Sequence, residues 1–215
     1  MQFSNLTYIN MDHRIDKYAH LMESLRYCPI NGFKTSGVIA HNFKDYPALD
    51  YVTKNQQKYQ GVIGCFLAHT NALENLLSAQ NNPNEYSMVL EDDIIIDPMF
   101  WVFLEELPDI KDADIIFFDS GDNRHLKDFP KYCTNPVCYR KFHKSWPQFV
   151  GTHCYAIRNS NLPKIIAFLK ETKAYKDLDG HYFGHRDFTN YCFQTGLTRI
   201  NHRFRSDRLN ATWKN

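Results

Sequence analysis

The sequence lacks the features that would place the chain in a membrane, on a nucleic acid or in a disulfide-stabilised fold. It has no run of about 18 uninterrupted apolar residues, so no transmembrane helix is expected. The 25 Lys and Arg balance the 24 Asp and Glu to a net charge of +1, which excludes a global attraction to nucleic acid. Its first residues show no basic leader followed by an apolar stretch, so we expect a cytoplasmic protein whose six cysteines are reduced.

What the sequence does contain is enough apolar material for one sizeable domain. The 215 residues are 43% hydrophobic and 15% aromatic, which is typical of a folded chain. Strand-like and helix-like patterns alternate along it, and this favours an α/β fold with a largely parallel sheet. The predicted strands are residues 3–9, 86–90, 114–119 and 150–158, and the predicted helices are residues 12–27, 61–80, 98–107, 160–171 and 181–196.

Three details of this assignment can be tested. The first helix has apolar residues at helical spacing (Ile15, Tyr18, Leu21 and Leu25), which predicts its buried stripe. Gly196 is predicted to cap the last helix. The segments 31–60 and 120–148 are longer than ordinary connections, which is typical of functional lids.

The stretch "MVLEDDIIID", residues 88–97, places three acids between two apolar runs. If the strand continues through them, Glu91 and Asp93 point to one face and Asp92 to the other. Two carboxylates that share a small volume repel each other unless a divalent cation neutralises them. The pattern therefore favours a Mg²⁺ or Mn²⁺ site that also receives the phosphate oxygens of a nucleoside diphosphate. A solvated strand end is the structural alternative.

Five blocks, in this order, resemble glycosyltransferase family 25. They are "YINMDHRIDK" (8–17), "GVIGCFLAHTNALENLL" (61–77), "MVLEDDIII" (88–96), "GTHCYAI" (151–157) and "DLDGHY" (177–182). The resemblance implies a GT-A fold, in which a largely parallel central sheet is flanked by helices and one half is Rossmann-like. It also implies a UDP-sugar donor, UDP-galactose or UDP-glucose, and dependence on Mn²⁺ (or Mg²⁺). We assign residues 1–119 to the nucleotide-sugar-binding half and 120–215 to the acceptor and metal-completing half.

The same resemblance assigns roles to individual residues. It places the acidic metal motif at Glu91, Asp92 and Asp93, with Asp93 as the direct metal ligand and Glu91 holding the donor or binding the ion through water. In "INHRFR" (200–205), His202 is the candidate third ligand, and Arg203 belongs to a basic cluster that would clamp the diphosphate. A solvated basic tail is the alternative for that cluster.

The resemblance also implies inversion at the anomeric carbon and places a late aspartate of the family at Asp179. Inverting transfer needs a base that accepts the proton of the attacking hydroxyl. Asp179 is our first candidate and Asp187 the second, with helix capping as the structural alternative for Asp179. For the uracil and ribose we expect Asn10, Asp12 and Arg14, although Asp12 would also serve as a helix cap. The donor sugar is expected near Gly151 and Thr152.

His69 falls on the apolar stripe of its helix, so a hydrogen-bonded core histidine is expected there unless the helix packs under the donor site. Gly64 in the same helix would allow another backbone to approach closely.

The sequence therefore predicts a metal-dependent inverting transferase that moves a hexose to a hydroxyl of a glycan or of hydroxylysine. Two other functions stay open. One is a GT-A-like module without catalysis that binds a glycan or a partner through the aromatic loop 129–149, and the other is a metal-dependent nucleotide hydrolase. The sequence does not indicate an oligomeric state.

Overall fold

The computed structural model describes residues 1–40, 56–79, 82–119, 138–141, 151–171, 178 and 188–204, with the backbone alone described for 56–59 and 138–141. These residues form nine strands and four α-helices. In chain order they are β1 (Phe3–Asn10), α1 (Ile15–Ser24), β2 (Gly32–Ser36), α2 (Gln56–Ser78), β3 (Tyr86–Glu91), β4 (Ile94–Ile96), α3 (Met99–Glu106), β5 (Ile115–Phe118), β6 (Cys138–Lys141), β7 (Cys154–Arg158), α4 (Leu162–Glu171), β8 (Asn190–Gln194) and β9 (Thr198–Ile200).

Seven of these strands form one mixed sheet in the order β2-β1-β3-β7-β5-β8-β6, and β4 pairs with β9 in a separate ribbon. Strands β2, β1, β3, β5 and β8 run in the same direction, whereas β7 and β6 run against them. The predicted α/β class with a largely parallel sheet is confirmed. Because β7 is antiparallel, its first residues lie at the sheet edge where β1, β3 and β5 end, which we call the carboxyl edge.

The side chains of each strand alternate between two apolar layers, one on each face of the sheet. On one face Met88 and Leu90 of β3 pack with α1 and α3, and on the other Val89 packs with α2 and α4. Both faces of the central strands are thus covered, which explains why β3 and β5 appear in the sequence as continuous apolar runs.

The prediction of one helix over residues 181–196 is wrong in its second part, because residues 190–194 form strand β8. Tyr191, Cys192 and Phe193 are all buried in the sheet. A short strand buried on both faces has no alternating pattern, so periodicity did not separate it from a helix. Gly196 has a φ of +71° and lies in the turn between β8 and β9, not at a helix end.

The predicted stripe of α1 is also wrong in part. Ile15 is 73% exposed and Tyr18 is 37% exposed, whereas Lys17 and Leu21 are the buried residues of this helix. The helix is rotated so that a lysine faces the interior. The acids of the 88–97 stretch provide the reason, as described below.

Gly64 shows the close approach that the sequence predicted. A Cβ atom added to Gly64 would lie 2.3 Å from the carbonyl oxygen of Val38, so α2 touches the backbone of the segment that follows β2.

We therefore expect Gly64→Ala to destabilise the protein, although alanine in place of glycine ordinarily stabilises a helix by about 1 kcal/mol. The added methyl group must displace a backbone carbonyl, and such overpacking typically costs about 1 to 3 kcal/mol. Urea unfolding measures the change. Ser78→Ala, on the exposed last turn of α2, is the control and should gain a few tenths of a kcal/mol (~0.3) from helix propensity. A Gly64→Ala variant as stable as the wild type would contradict the close contact.

Candidate active site

The three acids of the sequence motif lie at the carboxyl edge, where β3 leaves the sheet. Glu91 is the last residue of β3, Asp92 and Asp93 form a turn, and β4 starts at Ile94 in the separate ribbon. The alternation argument assumed a strand that continues through Asp93. Because the chain turns instead, Asp92 and Asp93 both lie near Lys17, whereas Glu91 has other partners.

Asp92 points towards α1 and is buried. Its carboxylate accepts a hydrogen bond of 2.8 Å from Nδ2 of Asn10, at the end of β1, and lies 3.0 Å from Nζ of Lys17. Lys17 is only 3% exposed. A buried charge is stable only when it is paired, so Asp92 fixes Lys17 inside the fold and contacts the protein rather than solvent.

Asp93 shares the same lysine less closely. Its carboxylate oxygen lies 3.5 Å from Nζ of Lys17. Burial, followed by the negative charges of Glu91 and Asp92, raises the pKa of Asp93 to about 6, and Lys17 offsets only part of this effect. The site therefore carries more negative charge than its lysine neutralises.

Glu91 faces the opposite layer, towards α2. Its Oε1 accepts a hydrogen bond of 2.6 Å from the hydroxyl of Thr152 and lies 3.3 Å from Nε2 of His69. Burial acts to raise the pKa of Glu91, but the hydrogen bonds with His69 and Thr152 outweigh it and hold the pKa at about 2. Glu91 is thus ionised at neutral pH, and 30% of its side chain remains exposed.

His69 connects the core to this carboxylate. It is 1% exposed, its Nδ1 lies 2.9 Å from the hydroxyl of Tyr155, and the two rings stack with their centroids 5.6 Å apart. His69 is thus a hydrogen-bonded core histidine, as expected, and it also contacts Glu91 of the acidic motif. Neither Tyr155 nor Lys17 was singled out from the sequence.

The segment 151–153 closes the site on the side of β7. Gly151 adopts a φ of +125°, and a Cβ at this position would lie 2.9 Å from Nδ1 of His153. Within the part of the chain that the structure describes, neither buried ring nitrogen of His153 has a hydrogen-bond partner. Burial lowers the pKa of His153, although Glu91 and Asp119 oppose the shift, so this ring is neutral.

The residues predicted for uracil and ribose lie at the end of β1. Asp12 is exposed, accepts a hydrogen bond of 3.0 Å from the hydroxyl of Ser36 and lies 2.7 Å from Nζ of Lys34. Arg14 precedes α1 and donates to both carboxylate oxygens of Asp16, at 2.9 and 2.8 Å. No described side chain caps the start of α1, so the capping alternative for Asp12 is not observed.

The segment 201–204 returns to the acidic turn. The backbone N–H of Asn201 donates a hydrogen bond of 2.6 Å to the carbonyl oxygen of Asp93, and His202 and Arg203 follow it on the exposed surface. Among the described residues, three possible metal ligands converge within 4.8 Å in one group, which contains Glu91 but neither Asp93 nor His202. The roles assigned to His202 and Arg203 therefore stay predictions.

Other predicted site residues fall in the parts of the chain that the structure does not describe. Asp179 and Asp187, the candidate bases, lie outside the described residues, as does the loop 129–149 except for the backbone of β6.

Comparison with known proteins decides the family. The profile of glycosyltransferase family 25 (LPS biosynthesis protein) matches residues 30–179, well over half of the chain. The chain belongs to glycosyltransferase family 25. The resemblance noted from the five sequence blocks is thereby confirmed, and so is the coarse prediction of a glycosyltransferase, which takes a sugar donor and an acceptor.

Two solved structures are similar to this family member. One is a glycosyltransferase involved in the glycosylation of the major capsid of PBCV-1, with 8% identity, a TM-score of 0.50, and coverage of 97% of this chain and 98% of that one. At this identity the likeness shows the fold alone, which is that of a glycosyltransferase. The other is the apo form of the glycosyltransferase GlyE of Streptococcus pneumoniae TIGR4, with 10% identity and a TM-score of 0.45, covering 88% of this chain and 45% of that one. No curated protein sequence matches the chain.

In the described part of the chain, no helix is both long enough and apolar enough to cross a membrane.

Proposed function

We propose that this family 25 glycosyltransferase is a metal-dependent inverting enzyme. It transfers a hexose, galactose in the first instance, from a UDP-sugar to a hydroxyl of a glycan or of hydroxylysine. Galactose and a lipooligosaccharide-like acceptor come from the family resemblance; the metal and the diphosphate are argued from the site.

The observation that carries the proposal is the unbalanced charge at the carboxyl edge. Glu91, Asp92 and Asp93 are adjacent in sequence, and Lys17 lies within 3.5 Å of two of them. Burial and, after it, the charge of Glu91 raise the pKa of Asp93, so part of the shift reflects negative charge that Lys17 does not offset. Carboxylate oxygens suit Mn²⁺ and Mg²⁺, and ligands of open α/β sheets bind outside the carboxyl ends of the strands. The residues therefore fit a hard divalent cation.

The role that we propose for each carboxylate follows from whether it already has partners within the protein. Asp92 is occupied by Lys17 and Asn10, so it orients the turn. Asp93 is left as the direct ligand of Mn²⁺. Glu91, fixed by Thr152 and His69, accepts a donor hydroxyl or a water of the metal shell. A cation held there would supply positive charge to the leaving diphosphate, and His202 and Arg203 are the residues proposed to complete its site.

The remaining assignments concern the organic parts of the substrates. Asn10, Asp12 and Arg14 are proposed to receive the uracil and ribose at the end of β1, and Gly151 and Thr152 the donor sugar. The acceptor hydroxyl attacks the anomeric carbon from the face opposite UDP and loses its proton to Asp179, or to Asp187. The bond to the diphosphate oxygen breaks, and UDP leaves with the bonding electron pair.

The test is UDP release from UDP-galactose and UDP-glucose with Mn²⁺, with and without a panel of sugar and hydroxylysine acceptors. We expect acceptor-dependent release that stops after chelation and returns when Mn²⁺ is added back. Release that does not depend on an acceptor would indicate a hydrolase. No release from any UDP-sugar by protein that binds UDP with Mn²⁺ would contradict the proposed donor, and glycan binding without metal or nucleotide would favour a binding module.

A further inference from the structure

Three side chains with different ligand chemistry meet between α2 and the end of β3. Cys65 and His69 are one turn apart on α2, and Glu91 is the last residue of β3. The Cys65 thiol, the His69 ring and the Glu91 carboxylate each offer an atom, and these three atoms all lie within 4.8 Å of one another. A spacing of four residues on a helix puts two ligands on one face.

We propose that Cys65, His69 and Glu91 bind a thiophilic divalent cation of the Zn²⁺ type. Zinc takes sulfur at about 2.3 Å and nitrogen or oxygen at about 2.0–2.2 Å in tetrahedral geometry, which places neighbouring ligand atoms about 3.3–3.6 Å apart. Nε2 of His69 and Oε1 of Glu91 already have that separation, 3.3 Å. The Cys65 sulfur lies within 4.8 Å of a ligand atom of each of the other two residues.

The hydrogen bonds of His69 favour a metal site over the alternative that His69 activates Cys65 as a nucleophile. A cysteine nucleophile needs one imidazole nitrogen for its thiol and the other for an orienting acid. In this protein Nδ1 lies 2.9 Å from the Tyr155 hydroxyl and Nε2 faces Glu91. With Nδ1 held by Tyr155, Nε2 is the nitrogen that faces Glu91, and a bound ion would replace the direct contact between Nε2 and the carboxylate. A second nitrogen fixed in this way is typical of metal-ligating histidines.

Solvent reaches the cluster from one side. His69 is almost fully buried, whereas Cys65 is half-buried and 30% of the Glu91 side chain is exposed. An ion can enter between Cys65 and Glu91, and a water can take its fourth coordination position. The mixed sulfur, nitrogen and oxygen set prefers Zn²⁺, Co²⁺ or Cd²⁺ to Mg²⁺ or Mn²⁺, so the cluster differs from the carboxylate site in the metal it selects.

Occupancy would affect transfer, an extension that rests on the proposed function. Glu91 is one of the three acids at the donor site. Once it binds a thiophilic ion directly, it is no longer available to a donor hydroxyl or to the water of a bound Mn²⁺. Zn²⁺ is therefore expected to inhibit transfer that Mn²⁺ supports, and to do so through Cys65.

The binding experiment uses the full-length protein and Co²⁺ alone, with no nucleotide or sugar. We expect one Co²⁺ per chain, with a thiolate-to-cobalt charge-transfer band that Zn²⁺ removes by competition. Cys65→Ser should lose the band and bind Co²⁺ about 10- to 100-fold more weakly. Cys28→Ser is the matched control because Cys28 is also half-buried but lies elsewhere in the fold, and it should keep the band. A thermal melting curve recorded by circular dichroism checks that each variant is folded.

A charge-transfer band that persists in folded Cys65→Ser, or no band in the wild type, would overturn the proposal. A second variant, His69→Gln, should weaken Co²⁺ binding and still show a thiolate band. UDP release with Mn²⁺ is measured separately, with and without Zn²⁺. If the protein binds Co²⁺ through Cys65 but releases no UDP, the proposed function is contradicted and the proposed metal site is still supported.

Discussion

Asp93→Asn is expected to slow sugar transfer strongly and, at the same time, to make the protein more stable at neutral pH. The first effect follows if Asp93 holds the cation that stabilises the leaving diphosphate. Such stabilisation is worth several kcal/mol, and each 1.36 kcal/mol is tenfold in rate, so we expect a loss in kcat of about 10² to 10³.

The gain in stability follows from the pKa of Asp93. It rises from the ordinary 3.8 to about 6, first through burial and then through the charges of Glu91 and Asp92. Between these values the folded state holds a proton that the unfolded state has lost, so this group lowers stability as pH rises from 3.8 to 6. A shift of this size corresponds to at most about 3 kcal/mol. Asparagine has no charge to bury, so we expect a gain of about 1 to 3 kcal/mol at pH 7 that vanishes below about pH 4.

The measurement combines UDP release with urea unfolding at several pH values, in the absence of metal. Glu105→Gln, which removes an exposed acid from α3, is the control and should change neither quantity. A second readout is the melting temperature with Mn²⁺ and UDP, which should rise for the wild type and not for Asp93→Asn. Full activity in Asp93→Asn, or a wild-type melting temperature that ligands do not change, would contradict the assignment of the metal.

The order of strands and helices was predictable because it depends on local patterns. The buried strand that ends at Glu91, the helix after Pro98 and the strand at residues 115–118 all lie where the sequence placed them. Strand β8 was missed since Tyr191, Cys192 and Phe193 are buried on both faces and leave no period to detect. The antiparallel direction of β7 was not predicted either, because strand direction depends on long-range connections.

The sequence predicted which residue types lie at the candidate site, but not which side chains contact each other there. The acids, Asn10 and Thr152 were identified from the sequence, but Glu91 and Asp93 were expected to face the same way. The turn after Glu91 gives the two carboxylates different hydrogen-bond partners, and it leads into β4, which pairs with β9 about 100 residues further along the chain. Lys17 was missed for a similar reason. Its position on the inner side of α1 is set by Asp92, 75 residues away, and no local period of apolar residues contains that information.

Lys17→Met tests that long-range pairing and should cause the largest loss of stability. Nζ of Lys17 lies 3.0 Å from Asp92, and the two side chains are only 4% and 9% exposed. Removing one partner of a buried ion pair leaves an uncompensated charge and typically costs about 3 to 5 kcal/mol. Urea unfolding at pH 7 measures the loss. Lys164→Met is the matched control, because Lys164 also pairs with an aspartate, Asp114, at 3.6 Å but is about half exposed; its removal should cost about 1 kcal/mol or less.

The double variant Lys17→Met with Asp92→Asn separates charge from packing. If the unpaired carboxylate causes the loss, then removing its charge should restore a large part of the stability, although Asn10 loses a charged acceptor. Equal losses in the Lys17 and Lys164 variants, or no recovery in the double variant, would show that α1 is held by apolar packing of residues such as Leu21. Lys17 would then not be the cation that positions the acidic turn.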